Sequence, residues 1–276
     1  MKQHPLSVVH PNAKIGENVE IGPFCYIEED VVIGDNTWIA PSVSIMNGTR
    51  IGKNCRFFQG AIVGNIPQDL KFRNEITYLE IGDNVTVREY CTLNRGTTAL
   101  GKTVIKDNCL LMAYVHVAHD CIINENCILA NNTNLAGHIE IGKFAILGGL
   151  TAVHQFVKIG EHAFIGGGSL VSKDVPPYIR AAREPLSYAG LNSVGLRRRG
   201  FTDEQINHIK KIYSHLFVRG FNQKTALDII KNEMIDTPEK ALIVDFIENQ
   251  SKRGLLKGFR TVTANKSVLA NGDTLN

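Results

Sequence analysis

No stretch of 18 apolar residues occurs anywhere in the 276-residue chain, so no membrane insertion is expected. The opening Met1-Lys2-Gln3-His4-Pro5 lacks the apolar core of a secretory signal, and a soluble cytoplasmic protein is expected. No C-x-x-C pair is present, which removes the common zinc and dithiol motifs. No dinucleotide-binding fingerprint appears, and no serine or cysteine has the setting of a nucleophile. Net charge is only +3, and no nucleic-acid partner is expected. The charge is uneven, however. Residues 177–276 hold 16 Lys+Arg against 10 Asp+Glu, while the preceding part is net acidic. A basic end suits an acidic partner, although an ordinary solvated helical surface has the same composition.

What the chain does have is a period of six. From Val9 to Val171 every sixth residue is a large hydrophobic one, with breaks only at Asp69, Glu75 and Ala99. Neither an α-helix nor a flat hairpin has that period; a parallel β-helix does, with one short strand and one corner per hexad. Glycine often follows the aliphatic, as in Ile33-Gly34 and Ile141-Gly142, and is read as supplying unusual corner dihedrals. The fourth position after the aliphatic is small or β-branched. Cys25, Cys55, Cys91, Cys109, Cys121 and Cys127 all fall there, which makes them interior packing groups in a reducing compartment. Three hexads make one coil, so residues 18 apart should stack about 4.8 Å apart.

The expected organisation is a β-helix over residues 1–178, a helical part over 179–258 and a polar tail over 259–276. A loop over 64–78 should project from the prism, and a shorter interruption runs from Thr97 to Lys102. Pro176 and Pro177 are expected to end the repeat, since proline cannot donate to a ladder. After a connector, Thr202 and Gln205 form a capping-box pattern ahead of Ile206, Ile209, Ile212 and Leu216. A second helix follows around Ala226–Met234 and a third after Thr237-Pro238. The tail should be unstructured.

Chemistry concentrates where five histidines fall between positions 116 and 162. By the spacing of 18, His119, Gly137 and Gln155 share one corner column, with His138 and His154 beside it. Three readings remain open on geometry: a zinc site of imidazoles from adjacent coils, a general-base site, or surface histidines without a role. Asp120 favours the base, because a carboxylate orients an imidazole and stabilises its cation.

The segments NIPQDLKF (65–72), HVAHDC (116–121), ILANNTNLAGH (128–138), GGLTAVHQF (148–156), DVPPY (174–178) and GLRRRGF (195–201) resemble, in order, those of the UDP-N-acetylglucosamine O-acyltransferases of lipid A biosynthesis. The likeness spans about residues 8–257. It implies a left-handed parallel β-helix with a C-terminal α-helical domain, assembled as a homotrimer with sites between subunits. It implies transfer of a 3-hydroxyacyl group from acyl carrier protein to the glucosamine 3-hydroxyl of UDP-N-acetylglucosamine. The acyl group rides on the carrier's phosphopantetheine, and neither cofactor nor metal is implied. On this chain the resemblance makes His119 the general base, Asp120 its partner and the Gly137 N–H the oxyanion donor. Gln68, Asp69, His116, His138, His154 and Gln155 match sugar or acyl contacts. Asn192, Arg198 and Arg199 match nucleotide contacts, and Lys71 suits the carrier protein or its arm. Gly167 matches a ruler at the end of the acyl slot, where glycine would admit a long donor; the plainer alternative is a tight corner.

Two positions depart from the family pattern. Asn94 stands where histidine is frequent and Val194 where an acidic residue is frequent, which puts individual nucleotide contacts in question. The rivals are the pathway's later N-acyltransferase, which carries an extra N-terminal domain, and a non-catalytic β-helix scaffold. Hexads beginning by residue 9 argue against the first, and the combination of His119–Asp120, the projecting loop and three consecutive arginines argues against the second.

Overall fold

The computed structural model describes residues 2–258, so the 259–276 tail lies outside the described residues. Short strands wind into three parallel faces. The first contains Glu20–Ile21 and Phe164–Ile165, the second Tyr26–Ile27 and Leu170–Val171, and the third Lys14–Ile15 and Lys158–Ile159. The register is 18 residues per coil, as in Ile21 beside Ile39 and Ile123 beside Ile141. The hexad aliphatics point inward and are buried from Ile21 to Val171; Val9 and Ile15, at the open first coil, are only partly covered.

The corner glycines serve a different purpose from the one expected. Gly34 and Gly52 have no positive φ; a Cβ on Gly34 would lie 2.5 Å from the Gly52 carbonyl carbon and oxygen of the next coil. They are there for space. The left-handed seat is two residues later, held by Asn18, Asn36, Asn54, Asn84, Asn108 and Asn126 at that edge, a residue type that tolerates it. The six cysteines are buried and free. Each donates to a corner carbonyl of the next coil, as Cys121 Sγ does to Ala136 O at 3.1 Å. Thr37 does the same at its equivalent position, which is why small polar donors recur at that phase.

Both loops leave from the corner between the second and third faces. They separate Ile62–Asn65 from Tyr78–Ile81, and Thr92–Asn94 from Lys102–Ile105. Across them, neighbours are 30 residues apart (Ile51 beside Ile81) and then 24 apart (Ile81 beside Ile105).

The prolines do not end the first face. Ile179–Ala182 pairs in parallel with Phe164–Ile165, and Ser187–Leu191 extends the sheet further. Pro176 and Pro177 sit in the corner, where no ladder donor is required, and Tyr178 N–H resumes by bonding Glu161 O at 2.8 Å. Helices α1 (Ser193–Arg198), α2 (Asp203–Phe217), α3 (Gln223–Glu233) and α4 (Pro238–Glu248) follow. The Thr202–Gln205 capping box is formed, and α1 lies inside what the sequence suggests is a connector. Tyr213 Oη anchors α2 to the last coil through Pro177 O at 2.6 Å. The carboxylate of buried Asp174 accepts from the backbone and hydroxyl of Ser251, tying the C-terminal segment to the same coil. No helix among the described residues is long and apolar enough to cross a membrane.

Candidate active site

The corner between the second and third faces gathers His119, Asp120, Gly137, His138, His154 and Gln155, together with both loops. Asp120 and His138 occupy its left-handed seats, with φ of 58° and 60°. That turns two successive coils' polar side chains toward one another. His119 Nδ1 lies 2.8 Å from Asp120 Oδ2, and His138 Nε2 lies 3.7 Å from the same oxygen. The two imidazoles meet edge-on with centroids 5.1 Å apart. Phe156, from the next coil, stacks on His138. The projecting loop returns Asp69, whose Oδ2 is 4.0 Å from His119 Nε2.

The stacking column places Gly137 directly against the His119 ring. A Cβ there would be 2.6 Å from His119 Cε1 and 2.7 Å from Nε2, so glycine is required for space. Among the described residues the Gly137 N–H has no hydrogen-bond acceptor, while its carbonyl accepts from Phe156 N.

Asp120 is only 2% exposed and His119 9%. Burial alone would raise the Asp120 carboxyl; bonds from the Thr97 hydroxyl, His119 and the Thr97 N–H outweigh it and hold it below the usual carboxylate range. An ionised Asp120 accepts the Nδ1–H of His119, which leaves Nε2 as the free lone pair. Burial lowers His138, with Asp120 working partly against it, and also lowers His116, whose Nδ1 is 2.7 Å from Thr92 Oγ1. One nitrogen or oxygen from each of His119, Asp120 and His138 lie within 4.8 Å of one another, and these are the residues that could hold a metal ion.

Thr97 and Thr103 are the contributors that the sequence reading missed. Thr97 Oγ1 donates to Asp120 Oδ2 at 2.6 Å and its N–H to Oδ1 at 3.0 Å. Thr103 Oγ1 accepts the Asp120 N–H at 2.8 Å. The segment Gly96–Thr103, GTTALGKT, has the spacing of a phosphate-binding loop. The structure gives it another use. It runs into the strand Lys102–Ile105 instead of a helix, Lys102 pairs with Glu80, and its N–H groups receive the Asp120 carboxylate.

The remaining candidates are dispersed. Gln68 and Lys71 are exposed on the loop, His154 is exposed at the corner, and His116 faces outward from the second face. Gln155 O accepts from Arg253 Nε at 2.8 Å, beside a cleft of about 570 Å³ that includes His138, Phe156, Lys158 and Lys252. Asn192, Arg198 and Arg199 belong to a different edge. Asn192 caps α1 and donates to His162 O at 3.0 Å, and Arg199 Cζ lies 5.2 Å from the Phe144 ring centroid. Gly167 is on the third edge, exposed, with ordinary φ; a Cβ would meet only the backbone of Gly149. Asn94 is buried and donates to Ile66 O at 2.9 Å, so it holds the base of the projecting loop. Val194 is exposed on α1.

Comparison with known proteins follows this division of the chain. The profile described as UDP N-acetylglucosamine O-acyltransferase, domain 2, matches residues 174–256. A six-repeat bacterial transferase hexapeptide profile matches 102–137, and that of the GMPPB C-terminal domain matches 4–106, so the coil alone does not single out one chemistry. Whole-length relatives do. The acyl-[acyl-carrier-protein]–UDP-N-acetylglucosamine O-acyltransferase of Chlorobaculum parvum is 56% identical over 260 residues, 94% of this chain and 98% of the relative. That of Sulfurihydrogenibium sp. is 55% identical over 253 residues, 91% of this chain and 93% of the relative.

The chain belongs to the UDP-N-acetylglucosamine O-acyltransferase family.

The crystal structure of the family's Bacteroides fragilis member superposes with a TM-score of 0.90 at 49% identity, covering 92% of this chain and 99% of that one. The Acinetobacter baumannii member gives 0.89 at 41% identity, covering 92% and 99%. The coil is a left-handed β-helix with a C-terminal helical region, as the resemblance implies. Full-length agreement with O-acyltransferases favours that reading over the later N-acyltransferase and over a scaffold.

Proposed function

We propose that the protein transfers a 3-hydroxyacyl group from acyl carrier protein to the 3-hydroxyl of UDP-N-acetylglucosamine, with His119 as general base. The observation that carries this is the His119–Asp120 pair set against Gly137, a position where only hydrogen fits beside the imidazole. His119 Nε2 takes the sugar hydroxyl proton as the oxygen attacks the thioester carbonyl. The Gly137 N–H donates to the resulting oxyanion, which is where a preorganised donor is most effective. Collapse expels the phosphopantetheine thiolate, which recovers the proton from His119; the products are the 3-O-acyl sugar nucleotide and the free carrier thiol. Written this way, the reaction calls for no cofactor or metal.

Asp69 and His138, which stand beside His119, are assigned with Gln68, His116, His154 and Gln155 to the sugar and acyl chain. Lys71 and the basic C-terminal part are assigned to the acidic carrier. Asn192, Arg198 and Arg199 are assigned to the nucleotide, arginine's planar donors suiting phosphate. These residues and Gly167 occupy three different edges of one chain, so a complete site needs edges from more than one copy. The outward row Leu110, Ile128, Ile146 and Phe164 on four successive coils of the first face is apolar and half-buried, as a self-association surface would be. The assembly is assigned as a homotrimer on the strength of the family resemblance. Its six free cysteines suit the reducing cytoplasm.

The test is incubation with UDP-N-acetylglucosamine and a set of 3-hydroxyacyl carrier proteins, with products read by mass, beside His119→Ala and exhaustive chelation. Turnover by the wild type, a loss of about 10²–10⁴ in His119→Ala and indifference to chelator are expected. A folded His119→Ala variant with near-normal rate overturns the base, and activity restored only by zinc favours the metal reading.

A further inference from the structure

We infer that Thr97 is a positioning residue for the base: with the turn that follows it, Thr97 cradles the Asp120 carboxylate so that His119 is held in one tautomer with Nε2 facing the substrate. The inference rests on the reading of His119 as the base, and it names a residue to which neither the family resemblance nor the histidine column points.

The geometry is that of an anion cradle whose anion belongs to the protein. Asp120 Oδ1 accepts from Thr97 N at 3.0 Å and Leu100 N at 3.3 Å. Asp120 Oδ2 accepts from Thr97 Oγ1 at 2.6 Å and from His119 Nδ1 at 2.8 Å. The turn closes on itself, with Gly101 N bonded to Thr97 O at 2.7 Å and Ala99 N to Thr97 Oγ1 at 3.2 Å. The Thr97 hydroxyl thus accepts from Ala99 while donating to Asp120, an arrangement that polarises it and strengthens the donated bond. Thr103 fixes the Asp120 backbone in its left-handed conformation. Thr97 and Asp120 are both buried, so water is a poor substitute for the hydroxyl.

Two effects follow from one hydroxyl. Thr97 fixes the rotation of the carboxylate, and with it the plane of the imidazole. It also shares Oδ2 with His119, which tempers the pull of that oxygen on the imidazole proton. Without the hydroxyl, Oδ2 turns its undivided negative charge toward His119 and the carboxylate is free to rotate. Among the described residues, Asp69 from the projecting loop and His138 from the next coil are the other ionisable groups beside His119.

The experiment compares Thr97→Val, Thr97→Ser and His119→Ala as full-length protein, by steady-state kinetics over pH. Thr97→Val should lower kcat about tenfold to a hundredfold, the worth of one hydrogen bond to a charged group, with KM for both substrates unchanged. Its acidic limb of kcat/KM should move to higher pH. Thr97→Ser should restore rate and limb. Thr97→Ala serves if valine does not fold. A Thr97→Val enzyme within twofold of wild type, or one slowed with an unmoved limb and no rescue by serine, overturns the inference while an inactive His119→Ala leaves the base reading standing. An active His119→Ala instead defeats the base reading itself.

Discussion

Gly137→Ala adds one methyl group at the centre of the proposed chemistry. The added carbon would lie 2.6 Å from His119 Cε1 and 2.7 Å from Nε2, against an ordinary contact of 3.4 Å or more. The ring must therefore withdraw by about 0.8 Å, which is a forfeited packing contact at least. The backbone of Gly137 is pinned through its carbonyl to Phe156 N, so the ring is the part that moves. A retreat of that size pulls on the 2.8 Å bond to Asp120 and takes Nε2 away from the hydroxyl it must deprotonate. Misplacement by about 1 Å costs on the order of 10² in rate, or about 2.7 kcal/mol of barrier. The assay is kcat and KM with a fixed donor, beside melting temperature, for Gly137→Ala, His119→Ala and the double variant. The clash predicts strong non-additivity: with the ring gone the methyl has nothing to strike, so the double variant should be no slower than His119→Ala and should melt no lower. A normal kcat in Gly137→Ala, or an equal loss of melting temperature with and without the imidazole, would refute the argument.

Arg198→Ala should weaken UDP-N-acetylglucosamine binding by roughly 1.5–3 kcal/mol if the guanidinium meets the nucleotide phosphates, read by isothermal titration without carrier protein; unchanged affinity reassigns it. Gly167→Met should shift preference to shorter acyl donors, because each buried methylene contributes about 0.8 kcal/mol to a long chain; equal loss at every length would mark a structural glycine. His162, stacked between Phe144 and Tyr178, is pushed down to about 4, by burial first and then by the Arg199 charge. An unfolded chain protonates this histidine at about 6.5 whereas the folded one resists, so its effect is a loss of stability as pH falls from about 6.5 toward 4, about 3 kcal/mol in all. His162→Phe should therefore lose less melting temperature than wild type across that window, and parallel curves would show that the imidazole does not titrate there.

Much of this was legible because the coil is one-dimensional. The spacing of 18 alone brings His119 and Gly137 together, and the phase of Cys121 or Thr37 implies burial. What the spacing could not reach was Thr97. It meets Asp120 across 23 residues, a separation that belongs to no column, because the loop it opens adds residues between neighbouring coils. The corner glycines are a related case. Sequence shows that Gly34 is glycine but not whether space or dihedral demands it; the neighbouring Gly52 carbonyl settles that in favour of space. The continuation past Pro177 was hidden because proline's missing donor matters only inside a ladder, and the corner placement is a tertiary fact. The distribution of candidates over three edges was implicit in the numbering, yet it acquires meaning only once the corners are seen to face different directions.

The loops have a further consequence. Coil-to-coil spacing rises from 18 to 30 at the projecting loop and to 24 at the Thr97 turn, so the insertions amount to whole numbers of hexads. Asp69, Glu75 and Ala99, the three breaks in the aliphatic rhythm, are hexad positions lifted out of the prism. The scaffold thus resumes in phase after each excursion, with inside and outside unchanged. Such a solid behaves like a ruled page on which text can be inserted by the line: material enters or leaves one corner without disturbing the packing above or below. Within this chain, Asp69 and Thr97 are written on two such inserted lines, while the His119–Asp120 pair they meet belongs to the ruling.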